Sequence, residues 1–325
     1  VDSDTLVINA SSSNTVTGSY IGNALGTVVL LQGTYNTIGQ STMSTGGFLA
    51  LQLVDSWNTV TASRMRSEQG IAAILSGSAS RNTISLSTMS SNSSGASNNN
   101  SALRINGSSN TIDSCYVEGS TAALISGSTG TVISGSVFVA TNTAGSALAM
   151  AGVSVNLSIA TSALIAPSLG RGLYLAPSNR GLVSIGSVTI SGAARGIEVS
   201  TQGVLFSLAV DSVTFRSLSS GATAVHFLGG TFVSTFTLAN FEDAGIAVNV
   251  SGAALDLASR ITMNAHYGAR TNPAYENDPN SLVDWEGFDA YPGCVVTSNV
   301  GAGRPYTTIQ AGVNALPSTL TGHSC

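Results

Sequence analysis

Asn36-Thr37-Ile38 stands 22 residues after Asn14-Thr15-Val16 and 22 residues before Asn58-Thr59-Val60. The same triplet returns at Asn82-Thr83-Ile84 and Asn110-Thr111-Ile112, after intervals of 24 and 28, and a degenerate copy follows at Gly130-Thr131-Val132. A short apolar run precedes each copy, at residues 6–8, 28–31, 49–53, 72–75, 103–105 and 122–125. A Ser/Thr/Gly corner and a third β-prone segment follow it. The triplet then fades, but the apolar run recurs at 147–150, 172–175, 196–199, 224–227 and 246–250. A fixed period of this size marks a chain built from stacked units, each unable to bury its apolar side alone. Three short strands per unit, alternating in and out, close a core once units stack in parallel at about 4.8 Å. The spacing therefore predicts an all-β solenoid of about 11 coils, each of roughly 22–25 residues, over residues 1–263. Asn14, Asn36, Asn58, Asn82 and Asn110 share one phase, which predicts a ladder of side-chain amides bonded from coil to coil.

Composition excludes several other classes. Charged residues make up 8% of the 325, and all 11 basic residues are Arg, against roughly a quarter charged in ordinary domains. Disorder needs more charge than this, and a helix-rich protein needs the Glu, Lys, Gln and Leu that are scarce here. The net charge of −5 carries no basic footprint for nucleic acid, and no apolar run is long enough for a membrane helix. The N-terminus has neither the charged nor the apolar region of a signal peptide, so the expectation is a processed, extracellular or cell-surface chain.

The 22-residue coil, the Asn at its turn and the Val/Ile-rich strands resemble the right-handed parallel β-helix (pectin-lyase-like) superfamily, across about 263 of the 325 residues. That superfamily holds lyases, hydrolases, tailspikes, adhesins and inert surface proteins, so the resemblance implies an architecture without choosing an activity.

The pattern ends near residue 264, giving a second segment, 264–325, rich in Pro, aromatic and acidic residues. Within it, Ile309, Val313 and Leu316 share one helical face, predicting a short amphipathic helix over 307–316 closed by Pro317. It resembles the helix that caps pectin-lyase-like rods, and is read as a cap on its own rod or on the next copy, which would assemble the chain head to tail. Cys294 and Cys325 bracket this segment and are expected to form a disulfide; Cys115 is left as a single thiol. The three His lack ligand spacing and no Cys-x-x-Cys occurs, so no metal site and no cofactor are expected. The acidic stretch 276–289 is a better calcium candidate than the acids set singly along the coils, a solvated loop being the plainer reading.

Aligning the apolar runs puts Arg104, Leu124, Ala149, Tyr174, Glu198, His226 and Asn249 in one outward file. Glu198 beside His226 is the one pair suited to acid–base work; a solvated polar stripe is the plainer reading. Glu242 and Asp243 are adjacent, so they point to opposite sides of a strand and make a poor glycosidase pair. The Thr after each Asn keeps phase for five coils only, too few for an ice-binding rank. The stretch 90–101 is expected to protrude as a loop that could meet a glycan. Scarce charge, no Lys and no converging acids favour a non-catalytic surface fibre or adhesin unit that self-associates. The alternative is a carbohydrate-active β-helix: a polysaccharide lyase, hydrolase or tailspike.

Overall fold

Short apolar strands separated by tight polar corners leave each coil with an apolar side that only neighbouring coils can bury, and the strands accordingly pair coil on coil. The computed structural model describes residues 4–93, 101–177, 179–200, 202–219, 221–241 and 246–250, then the strands Arg260–Tyr267, Tyr275–Asn277, Val283–Glu286, Cys294–Val296 and His323–Ser324. The apolar runs form the first face, a 12-stranded parallel sheet from Leu6–Asn9 to Tyr275–Asn277. The Thr-β-branched segments, such as Thr37–Gly39 and Thr59–Thr61, form a second face; segments such as Thr42–Thr45 and Arg64–Ser67 form a third. Nine successive coils, over residues 6–216, carry three separate strands each. The second and third faces then merge in the 12-residue strand Gly230–Phe241, which pairs with both preceding strands and joins the two faces into one 21-stranded sheet. Parallel pairing continues past residue 263, through Arg260–Tyr267 and Val283–Glu286.

The registers stack like on like. Val29, Leu51, Ala73, Leu103 and Ala123 form one inward file, and Ile38, Val60, Ile84, Ile112 and Ile133 another. Nearly all of these side chains are inaccessible to solvent. Towards the far end the core turns aromatic, with Phe215 and Phe241 stacked at 5.2 Å.

Two polar ladders hold the corners. In the first, the backbone N–H of Asn14, Asn36, Asn58 and Asn82 each donates to Oδ1 of the next Asn, ending on Asn110, at 2.7–2.9 Å. Past Asn110, Ser128 donates to the Gly107 carbonyl and Asn179 to those of Met150 and Ala176. The second ladder has no counterpart in the sequence reading. The backbone N–H of Ser19, Ser41 and Ser63 donates to Oγ of the serine one coil on, as do those of Cys115 and Ser136. The Cys115 thiol occupies a serine's place, donating to the Asp113 and Ile84 carbonyls. Burial pushes it up to about 11, against the opposing backbone hydrogen bonds.

Both corners need one residue in the left-handed region. At the first corner Ser13, Tyr35, Trp57, Arg81, Ser109, Gly130 and Asn156 all have φ between +49° and +70°. This conformation costs an L-residue other than Gly about 1–2 kcal/mol.

The predicted helix 307–316, with Ile309, Val313 and Leu316, lies outside the described residues. So do Cys325, Glu242, Asp243 and residues 94–100 of the predicted loop. Cys294 lies in Cys294–Val296, which pairs in parallel with His323–Ser324. Among the described residues no helix is long and apolar enough to cross a membrane.

Candidate functional site on the first face

The outward file read from the apolar runs exists as a register: Arg104, Leu124, Ala149, Tyr174, Glu198, His226 and Asn249 are consecutive partners. It is not a solvated stripe. Glu198 is 4% exposed and His226 6%, and Leu124 and Ala149 are buried as well.

A second outward file runs beside the first: Ser101, Thr121, then Ser146, Arg171, Arg195, Thr223 and Ile246. Strict alternation would put Arg195 and Glu198, three residues apart, on opposite sides of the strand. The strand kinks instead. Gly196 and Ile197 both face inward: a Cβ on Gly196 would meet the Phe215 ring and the Ala224 carbonyl, and Ile197 is fully buried. Both Arg195 and Glu198 therefore emerge on the outer side.

Arg171 and Arg195 are direct cross-strand neighbours, an arrangement of like charges that is unfavourable by itself. Glu198 resolves it. Arg171 Nε lies 2.7 Å from Oε1, and Arg195 Nε lies 2.9 Å from Oε2. Arg195 Nε also lies 2.8 Å from His226 Nδ1. His226 Nδ1 is 3.8 Å from Glu198 Oε2. The Arg171 guanidinium covers the Tyr174 ring at 4.8 Å. Burial works against the charge on Glu198, but contact with His226 and the two guanidinium groups outweigh it and hold its carboxyl below the usual carboxylate range. Glu198 is therefore a fixed anion, unsuited to donating a proton near neutral pH. The arginine side chains remain 35% and 42% exposed.

Four coils away, Arg104 sits in the same file between Ile74 and Leu124. Its Nε is buried without a hydrogen-bond partner, and so are Ser101 Oγ on the same strand and Asn106 Oδ1 just after it. Buried donors in this condition are rare in folded proteins. Sequence reasoning found Glu198, His226 and Arg104 but missed Arg171, Arg195 and Ser101, because the kink that aligns them leaves no mark in a period-two pattern. On the outer files of this face Glu198 is the only carboxylate among the described side chains, and no cluster of three potential metal ligands occurs among the described residues.

No family model matches the chain, and no curated protein does. Solved structures do. The polygalacturonase from Erwinia carotovora ssp. carotovora superposes with a TM-score of 0.56 at 11% identity, covering 87% of this chain and 97% of that one. A tailspike protein mutant of E. coli bacteriophage HK620, in complex with a pentasaccharide, gives 0.51 at 12% identity, covering 81% and 60%. The Dettilon tailspike protein gives 0.48 at 11%, covering 86% and 63%. The chain thus spans about three-fifths of the length of these tailspikes and nearly all of the polygalacturonase. At such identities the likeness is one of fold, and it agrees with the coil-on-coil registers: this chain has the fold of a right-handed parallel β-helix, shared with these structures.

Proposed function

We propose that this chain is a secreted or surface-exposed, carbohydrate-directed β-helix that binds an acidic polysaccharide along the outer side of its first face. The observation that carries the reading is the set of outward guanidinium groups, one of which, Arg104, has a buried Nε with no acceptor. Arg171 and Arg195 are locked by Glu198 through Nε, which orients them while part of each side chain reaches solvent. Planar guanidinium forks suit carboxylate and sulfate groups, and arginines fixed before binding lose less freedom when a ligand arrives. The neighbours in fold, named as a polygalacturonase and as a tailspike bound to a pentasaccharide, support a carbohydrate class over the inert building block that composition alone favours.

Binding rather than cleavage is the part the geometry supports. Glycoside hydrolysis ordinarily takes two carboxyl groups converging on one bond, and here a single carboxylate is held between two arginines. Titration calorimetry with hexagalacturonate tests this. Binding should weaken as salt rises, and Arg104→Ala and Arg195→Ala should each lower affinity about tenfold, the loss of one charge-assisted contact. Absence of binding by the wild type, or variants that bind as well as it does, overturns the reading. Release of reducing ends that Glu198→Gln abolishes would replace it with an enzymatic one.

A further inference from the structure

The first corner carries a feature that the first-face site does not use. Its left-handed position is occupied by Tyr35, Trp57 and Arg81 in three successive coils, at φ of +57°, +65° and +55°. The cheapest residues there are Gly and Asn, which other coils use at Gly130 and Asn156. The three side chains stack. The Tyr35 and Trp57 rings lie 6.0 Å apart, 11° from parallel, and the Arg81 guanidinium covers Trp57 at 4.9 Å. Tyr35 is 58% exposed and Trp57 44%. Large side chains held in a costly conformation and left in water mark a surface kept for contact.

The stack has a direction. Trp57 has Tyr35 over one side and Arg81 over the other. Tyr35 has Trp57 on one side only, and the next step of the corner is Ser13, which brings no ring. Around it Ser11, Ser12 and Ser13 are all exposed, and Asn14 Nδ2 bonds to Ser11 Oγ at 2.8 Å. The outer face of Tyr35 is thus a flat apolar platform beside a short run of hydroxyl groups.

We propose that the Tyr35–Trp57–Arg81 stack is a second carbohydrate site, taking a neutral β-1,4-linked chain of the glucan or chitin type. In such a sugar every ring substituent is equatorial, so the axial C–H groups make a flat apolar face that lies on Tyr35 as the next layer of the stack. The equatorial hydroxyls then reach the Ser11–Ser13 edge. Arg81 lies over Trp57, one step along the stack from Tyr35, so an acidic group on a ligand at Tyr35 has no cation beside it.

Titration calorimetry with cellohexaose and chitohexaose, alongside hexagalacturonate, tests the site separately from the first face. The wild type should bind at least one neutral hexamer. Tyr35→Gly should lower that affinity at least tenfold, Tyr35→Phe should retain it, and both should bind hexagalacturonate as the wild type does. Gly suits the left-handed backbone of residue 35, so Tyr35→Gly should keep the wild-type circular dichroism and melting temperature, which separates lost binding from lost folding. Arg195→Ala should show the reverse selectivity. The proposal is overturned if the wild type binds neither neutral hexamer, or if Tyr35→Gly binds them undiminished. Failure to bind hexagalacturonate alone would overturn the first-face reading and leave this one supported by its own arm.

Discussion

Asn58 shows how a single side chain ties one coil to the next. Its Oδ1 accepts from the Asn36 backbone N–H, and its Nδ2 donates to the carbonyls of Gly33 and Asp55. Asn58 itself is fully buried. Asn58→Ala leaves a buried N–H and a buried carbonyl unpaired, each costing about 1–3 kcal/mol, so a total loss of about 3 kcal/mol is expected in chemical denaturation. Asn14→Ala, at a partly exposed position, should cost about 1 kcal/mol or less by the same measure. Glu198 gives a different expectation. Glu198→Gln breaks the pairing that screens Arg171 from Arg195 and should destabilise the chain at pH 7 by about 2 kcal/mol, less than the roughly 3–5 of a fully buried pair because both arginines reach water. The sign with pH follows from its lowered carboxyl. The contribution is full above the ordinary carboxylate pKa and fades as pH falls through the lower, folded value. Denaturation curves of wild type and Glu198→Gln should therefore converge as pH drops below about 4. A gap unchanged down to pH 2 would mean that Glu198 is not held as an anion.

At the level of strands, the first face departs from simple alternation, and the departure makes the site. The inward position at its kink is Val28, Ala50, Ala72, Ala102, Ala122 and Ala147 in the earlier coils, then Gly172 and Gly196, then Ala224 and Ala247. A Cβ at Gly172 would run into Ile190 and the Gly196 carbonyl, and at Gly196 into Phe215 and the Ala224 carbonyl. Gly196→Ala should therefore destabilise by about 1–3 kcal/mol through overpacking, although Ala is the better strand residue, and Phe215→Leu in the same chain should restore part of the loss. Thermal melts of the single and double variants check this. The same element shows what the sequence makes legible. The Asn recurrence, the apolar runs and the outward file from Arg104 to Asn249 follow from position counting, because coils stack in register and a repeat in sequence becomes a column in space. The serine ladder of Ser19, Ser41, Ser63 and Ser87 was equally periodic but hid in a chain crowded with serine, and Cys115 disguised its next step. Arg171 and Arg195 were hidden by geometry: two inward residues in a row look like a break in the pattern until the facing wall is known.

Across the whole rod, each coil touches only its neighbours, so stability is close to a sum of coil terms and coil–coil interfaces. The two ends rely on different interactions. The earlier coils are tied by the asparagine and serine ladders, whose members from Asn36 to Asn110 are fully buried. Beyond Ser162 the serine position becomes Val188 and then Val213, and the core gains Phe206, Phe215, Phe227, Phe236 and Phe241. Polar ladders are directional and fail when one partner is lost, whereas aromatic packing is graded with the area and volume removed. Local opening should therefore report where a coil is damaged rather than spread evenly. In native-state hydrogen exchange, Asn58→Ala should lose protection at Thr37, Thr59 and Thr83, whose amides bond to the carbonyls of the ladder residues. It should leave Thr189 and Thr214, in the aromatic half, near wild-type rates. Gly196→Ala should do the reverse. Equal loss at all five amides in both variants would show that the rod opens only as one cooperative unit, with interfaces stronger than the coils they join.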